Sequence, residues 1–185
     1  MSLEPNNIGR RAPAPSWREA QNRMSACLRA DFARNPSLSQ RITLVIWRLG
    51  QATYGQRHPL ARLLRAAQQV GNAVWFRGVM GAEIPTSIPA GPGLWLPHSV
   101  RGVIMHHSVV IGAGCTIYHH TTFGLVGDTG DGPRLEDDCY IGAGAQILGP
   151  ITLAQGTKVG ANAVLTKSTE PGRTYVGVPA RLQER

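Results

Sequence analysis

Five of the six histidines in this 185-residue chain, His98, His106, His107, His119 and His120, fall within 23 residues. A neutral imidazole can take a proton from a hydroxyl and hand it on near neutral pH, so this density points to acid–base chemistry and exceeds what a core needs. Two small pairs, Gly142-Ala143 and Gly160-Ala161, stand 18 residues apart, with Lys158 just before the second. The three cysteines, Cys27, Cys115 and Cys139, are an odd number at long spacings with no Cys-x-x-Cys pair. That pattern suits free, buried thiols rather than a zinc ribbon or a redox dithiol, and no metal is read from these residues.

The elements that must position the histidines follow from a period of six. Met105, Ile111, Ile117 and Phe123, then, one register skipped, Leu135, Ile141, Ile147, Leu153, Val159 and Leu165 are all apolar. Four residues after each comes a mostly small column that includes Cys115, Cys139, Ala145 and Ala163. A large aliphatic, a turn and a small inward residue every six positions is the hexapeptide pattern of a parallel β-helix, three strands to an 18-residue coil. A helical reading fails, because 16 of the 22 glycines lie in residues 83–185. The skipped register falls in Gly127-Asp128-Thr129-Gly130-Asp131-Gly132-Pro133, which predicts a loop extruded near 127–134. Upstream, Leu96 and Met105 are nine apart rather than six, so the coil departs from regularity at 97–104. Counting from Leu96 and Ile117 puts His98 and His119 in one slot on successive coils. Cys115 and Cys139 in the inward column argue against a thiol acyl-enzyme.

Residues 1–82 read as helices and divide the chain from a β-helix at 83–185 with a C-terminal tail. Ser16 and Glu19 have capping-box spacing before a helix over about 17–33, and Asn35-Pro36 ends it. Leu38, Ile42, Val45, Ile46 and Leu49, then Leu60, Leu63, Leu64, Ala67, Val70 and Val74, make two more amphipathic stripes. The net charge of +8 resides here: residues 1–82 hold 12 Arg against Glu4, Glu19 and Asp31, while 83–185 hold 7 basic and 8 acidic residues. Arg41, Arg48, Arg62, Arg65 and Arg77 are expected on solvated faces, with a contact to a membrane surface or anionic glycan as the alternative. Nucleic acid is not expected, since aromatic interleaving and recognition motifs are absent. No apolar h-region is visible in MSLEPNNIGRR, and the run Ile42–Trp47 is too short to span a bilayer, which suggests a cytoplasmic protein.

YIGAGAQILGPITL (140–153), KVGANAVL (158–165) and YVGVPARL (175–182) resemble the C-terminal signature of hexapeptide-repeat acyltransferases of the serine acetyltransferase type. The resemblance, which takes in the helical block, implies a left-handed β-helix, a homotrimer or dimer of trimers, and acetyl-CoA bound between neighbouring β-helices for transfer to a hydroxyl. In that family the base is a histidine 15 positions after an acidic residue, which here maps onto Glu83 and His98. Glu83 would fix the imidazole tautomer and stabilise the imidazolium as the hydroxyl oxygen attacks the thioester directly. By the same resemblance Gly142, Ala143, Gly160 and Ala161 make a slot for the pantetheine arm. Lys158 and Arg181 then meet phosphates, and Gly124 opens a loop whose amides lie near the thioester.

Two departures bear on the acceptor. Serine acetyltransferases have Asp immediately before the catalytic His and Arg-His-Pro in the following loop, where this chain has Pro97 and Gly132-Pro133-Arg134. Losing groups for an ammonium and a carboxylate argues against a zwitterion, and LPH before a hydrophobic coil looks closer to the exopolysaccharide and colanic-acid-type branch. The expectation is therefore an acetyl-CoA-dependent O-acetyltransferase of a sugar or polysaccharide precursor, with Pro97 and His119 at the acceptor site. Serine O-acetylation for cysteine biosynthesis is the alternative. A non-catalytic trimeric scaffold is the alternative of another class.

Overall fold

The computed structural model describes residues 15–127 and 130–183. The basic start with Arg10 and Arg11, the loop tip at 128–129 and the last two residues lie outside the described residues. Helix α1 (Trp17–Arg34) starts in a complete capping box: Ser16 Oγ accepts from the Glu19 amide at 3.3 Å, and Glu19 accepts from the Ser16 amide at 2.8 Å. Helix α2 (Leu38–Thr53) starts in a second box, Ser37 with Gln40. Helix α3 (Pro59–Gly71) has proline in its first turn, where the missing N–H costs nothing. The third stripe was expected to run through Val74 as one helix. Instead the α-geometry stops at Gly71 and a π-helix (Asn72–Met80) continues to Gly81, whose left-handed φ of 59° ends it. No described helix is long and apolar enough to cross a membrane.

From Ala82 the chain winds as a left-handed parallel β-helix with three faces. Ile104, Thr122, Gln146 and Val164 pair on one face, Val110, Arg134 and Thr152 on the second, Thr116, Tyr140, Lys158 and Thr174 on the third. The paired residues Arg134 and Thr152, Tyr140 and Lys158, and Gln146 and Val164 are each 18 apart. Val110 and Arg134 are 24 apart, so one hexapeptide is spent on the loop after Gly124, as the skipped register predicted. Trp95 and Thr116 are 21 apart, and the three extra residues form the irregular corner after Leu96. The six-periodic aliphatics, with Cys115, Cys139, Ala145 and Ala163, fill the interior. Each of the large aliphatic or aromatic side chains contributes about 1.5–3 kcal/mol by leaving water.

The first coil has no coil beneath it, so its backbone edge needs other partners. Side chains of α1 and α2 supply them. Arg48 donates to the carbonyls of Ala90 and Gly91, Gln51 to Ile88, Asn35 to Leu94, and Gln40 to Leu96 and Pro97. Asp31 and Asn35 accept from the amides of Leu94 and Leu96. Arg34 spans two coils, reaching the carbonyls of Gly93 and Gly114. Arg48 is thus not on a solvated face: it is 1% exposed and paired with buried Asp31 at 2.8 Å, because an unpaired strand edge needs donors more than the solvent does. Arg65 likewise donates to the carbonyl of Thr53 at the end of α2 and to that of Gln56 beyond it. At the other end an antiparallel hairpin, Tyr175 opposite Leu182 and Val176 opposite Arg181, covers the last coil.

Candidate functional site

His98 sits on the short strand Pro97–Val100 inside the irregular corner, exposed, with its ring centroid 4.8 Å from that of His119 on the next coil. Both neighbours of His98 are held. Gln40 Nε2 donates to the carbonyls of Leu96 at 2.9 Å and Pro97 at 3.2 Å, while the Ser99 hydroxyl donates to Ser39 at 3.2 Å. Ser99 takes a left-handed φ of 58°, the turn that lets three extra residues leave the coil and return. His119 is held below the usual histidine range by loss of solvent and then by the charges of His98 and His120, and its Nδ1 is buried without a partner among the described residues. An imidazole that resists protonation stays available as a base or acceptor.

The five histidines do not form one cluster. His98, His119 and His120 share one corner, whereas His106 and His107 lie at the next with their tilted rings 4.0 Å apart. There His106 Nδ1 meets Ser108 Oγ at 2.7 Å, and Ser108 accepts from the Gly132 amide at 2.6 Å, pinning the base of the extruded loop. Gly124 belongs to that second corner, with its carbonyl bound by the Gly149 amide.

The small residues continue the first corner. The Gly144 amide donates to His119 and the Asn162 amide to Ala143, so His119, Ala143 and Ala161 occupy equivalent points of successive coils. Gly142 is buried, and a Cβ there would lie 2.7 Å from the Ala161 amide nitrogen, so its smallness is imposed by the coil above. Ala143 and Ala161 are the members that present surface. Lys158 is exposed on the face beside them, and Arg181 is exposed on the terminal hairpin. Glu83 is exposed at the head of the face begun by its bridge to Ile104, and its carboxylate makes no hydrogen bond to His98. Cys115 and Cys139 are fully buried in the coil interior, out of reach of an acyl donor, and the Cys139 thiol is pushed up by its Cys115 neighbour and by burial.

Sequence reasoning missed the aromatic wall beside His98. Tyr118 lies 5.9 Å from His98, 5.4 Å from Tyr140 and 6.5 Å from Trp95. It also missed Gln40. The outward register of one face contained the first signal, and the spacing Ser37 to Gln40 contained the second.

A three-faced β-helix with histidines and small residues along one corner defines a hexapeptide-repeat transferase. Residues 132–167 match the family described as bacterial transferase hexapeptide (six repeats). The chain is 32% identical to the serine acetyltransferase of Mycobacterium tuberculosis over 166 residues, 86% of this chain and 71% of the relative. It is 34% identical to that of Helicobacter pylori over 140 residues, 75% and 77% of the two chains. Among solved structures it is similar to soybean serine acetyltransferase complexed with serine, at 30% identity and TM-score 0.68 over 89% of this chain and 69% of that one. It is also similar to the Brucella abortus serine acetyltransferase in complex with coenzyme A, at 25% identity and TM-score 0.71 over 89% and 68%.

The chain belongs to the serine acetyltransferase family, and is an acyltransferase with acetyl-CoA as donor. This overturns the expected kinship with the exopolysaccharide and colanic-acid-type branch and the expected sugar or polysaccharide acceptor. That expectation rested on two local differences, Pro97 and Gly132-Pro133-Arg134, and the likeness over most of the chain outweighs them. Such differences alter which groups face an acceptor, not the scaffold that carries them.

Proposed function

We propose that this protein transfers the acetyl group of acetyl-CoA to the side-chain hydroxyl of serine, acting as a homotrimer. The observation that carries this reading is the similarity, over three quarters or more of the chain, to serine acetyltransferases, including a structure with serine and one with coenzyme A. His98 takes the hydroxyl proton as the oxygen attacks the thioester carbonyl. The tetrahedral intermediate collapses with loss of the coenzyme A thiolate, which the imidazolium then protonates. Glu83 stabilises that imidazolium, a contact formed with the acceptor in place rather than beforehand. His119 and Pro97 line the acceptor end. The donor arm follows Ala143 and Ala161 above Gly142 and Gly160, with Lys158 and Arg181 toward its phosphates and Gly124 contributed from the neighbouring chain. Because Pro97 replaces a carboxylate, the serine ammonium is met by other groups.

The test is thiol release from acetyl-CoA with L-serine and, separately, with nucleotide sugars. Release that depends on serine is expected, and His98→Ala should lower kcat by about 10²–10⁴-fold while leaving acetyl-CoA binding intact. Thiol release indifferent to serine, or turnover unaffected by His98→Ala, would overturn the reading.

A further inference from the structure

Between α2, α3 and the first-coil turn at Thr86–Ser87 lies a cavity of about 520 Å³. Its walls carry Arg65 and Arg77 with Gln68, Asn72 and Ser87, and no acidic residue among the described residues. None of the five clustered histidines lines it. Neither arginine is ion-paired among the described residues, where the ion pairs are Asp31–Arg48 and Glu170–Arg173. Arg65 is anchored through Nη2 to carbonyls at and beyond the end of α2, and its Nε is buried without a partner among the described residues. Gln68 is 5% exposed, lines the same cavity, and its side-chain amide makes no hydrogen bond among the described residues.

A side-chain amide as nearly buried as that of Gln68 rarely goes without a protein partner in folded chains, and two guanidinium charges around one hole repel each other. One kind of occupant relieves both: a group whose oxygens only accept hydrogen bonds and whose charge is negative. The cavity is too roomy for a halide and falls within the range of small-molecule sites. We propose that it binds a small organic oxyanion with a carboxylate or phosphoryl head. The head is held between the guanidinium groups of Arg65 and Arg77, and the Gln68 side-chain amide donates to it from the wall. This inference does not rest on the identity of the acetyl acceptor.

The test is isothermal titration of the full-length oligomer with citrate and with inorganic phosphate at constant ionic strength, with coenzyme A saturating so that sites for its own phosphates are filled. One saturable site per chain is expected for at least one of the two anions, and the tighter of them assigns the head as carboxylate or phosphoryl. Arg77→Gln, at an exposed position, should weaken that site by roughly tenfold or more while the anion-free thermal midpoint and acetyl transfer stay unchanged. Gln68→Leu should weaken it too. Absence of a saturable site for either anion, or equal binding by wild type and Arg77→Gln, would sink the proposal.

Discussion

At the scale of single residues, the imidazole at 119 carries a measurable signature. Loss of solvent and the neighbouring His98 and His120 hold it below the usual histidine range. The unfolded chain titrates this group near the model-peptide value of about 6.5. Between that value and the lower folded one, the unfolded chain binds a proton that the folded corner resists, so stability is fully present above about 6.5 and declines as pH falls through the folded pKa. The His119 ring resonances should therefore titrate below the ordinary value in a proton NMR series. The fall in thermal midpoint on acidification should also be shallower in His119→Asn. An ordinary midpoint for His119 would show that its buried Nδ1 reaches a proton acceptor after all.

At the scale of elements, the helical block is a cap on the β-helix and also a clamp on His98. Gln40 is the third residue of α2 and completes its capping box, yet the same amide reaches the carbonyls on either side of the Leu96–Pro97 peptide. Ser37→Ala and Gln40→Met both break the box, each costing about 1 kcal/mol of cap stability, but only Gln40→Met frees the segment that presents His98. Displacement of a reacting group by an ångström lowers turnover steeply. Gln40→Met should then lower kcat by roughly tenfold or more at unchanged KM for acetyl-CoA, whereas Ser37→Ala leaves kcat alone. Equal kcat in the two variants would make Gln40 a helix cap and nothing more. Much of this level was legible beforehand: the hexapeptide column, the extruded register, the nine-residue gap before Met105 and the box at Ser16 are local or periodic signals. The caps on the first coil were not. Arg48, Asn35, Gln40 and Gln51 answer carbonyls 37–59 residues away in sequence, and no periodicity encodes which polar side chain turns inward to an unpaired edge. An amphipathic pattern therefore assigned Arg48 to solvent when it is among the most buried side chains.

At the scale of the whole molecule, the division of the histidines between two corners bears on assembly. His98 and His119 lie at one corner of the β-helix, and Gly124 with the pinned loop lies at the next, so one chain does not enclose a site containing both. A cyclic trimer would set the first corner of each copy against the second corner of its neighbour, making three equivalent composite sites. Sedimentation should then show three times the chain mass, but mass alone does not say which corners meet. Subunit mixing does. His98→Ala removes the proposed base, and Gly124→Trp, at a position where a Cβ meets the side-chain tips of Leu148 at 3.3 Å and Thr122 at 3.8 Å, is expected to block the opposite wall without disturbing the core. Each homotrimer should be inactive. In trimers co-expressed from equal amounts of both, about a quarter of the interfaces pair an intact His98 with an intact Gly124, so about a quarter of wild-type activity should return. If both residues served a site within one chain, every mixed trimer would remain as inactive as its parents, and the composite site would have to be abandoned.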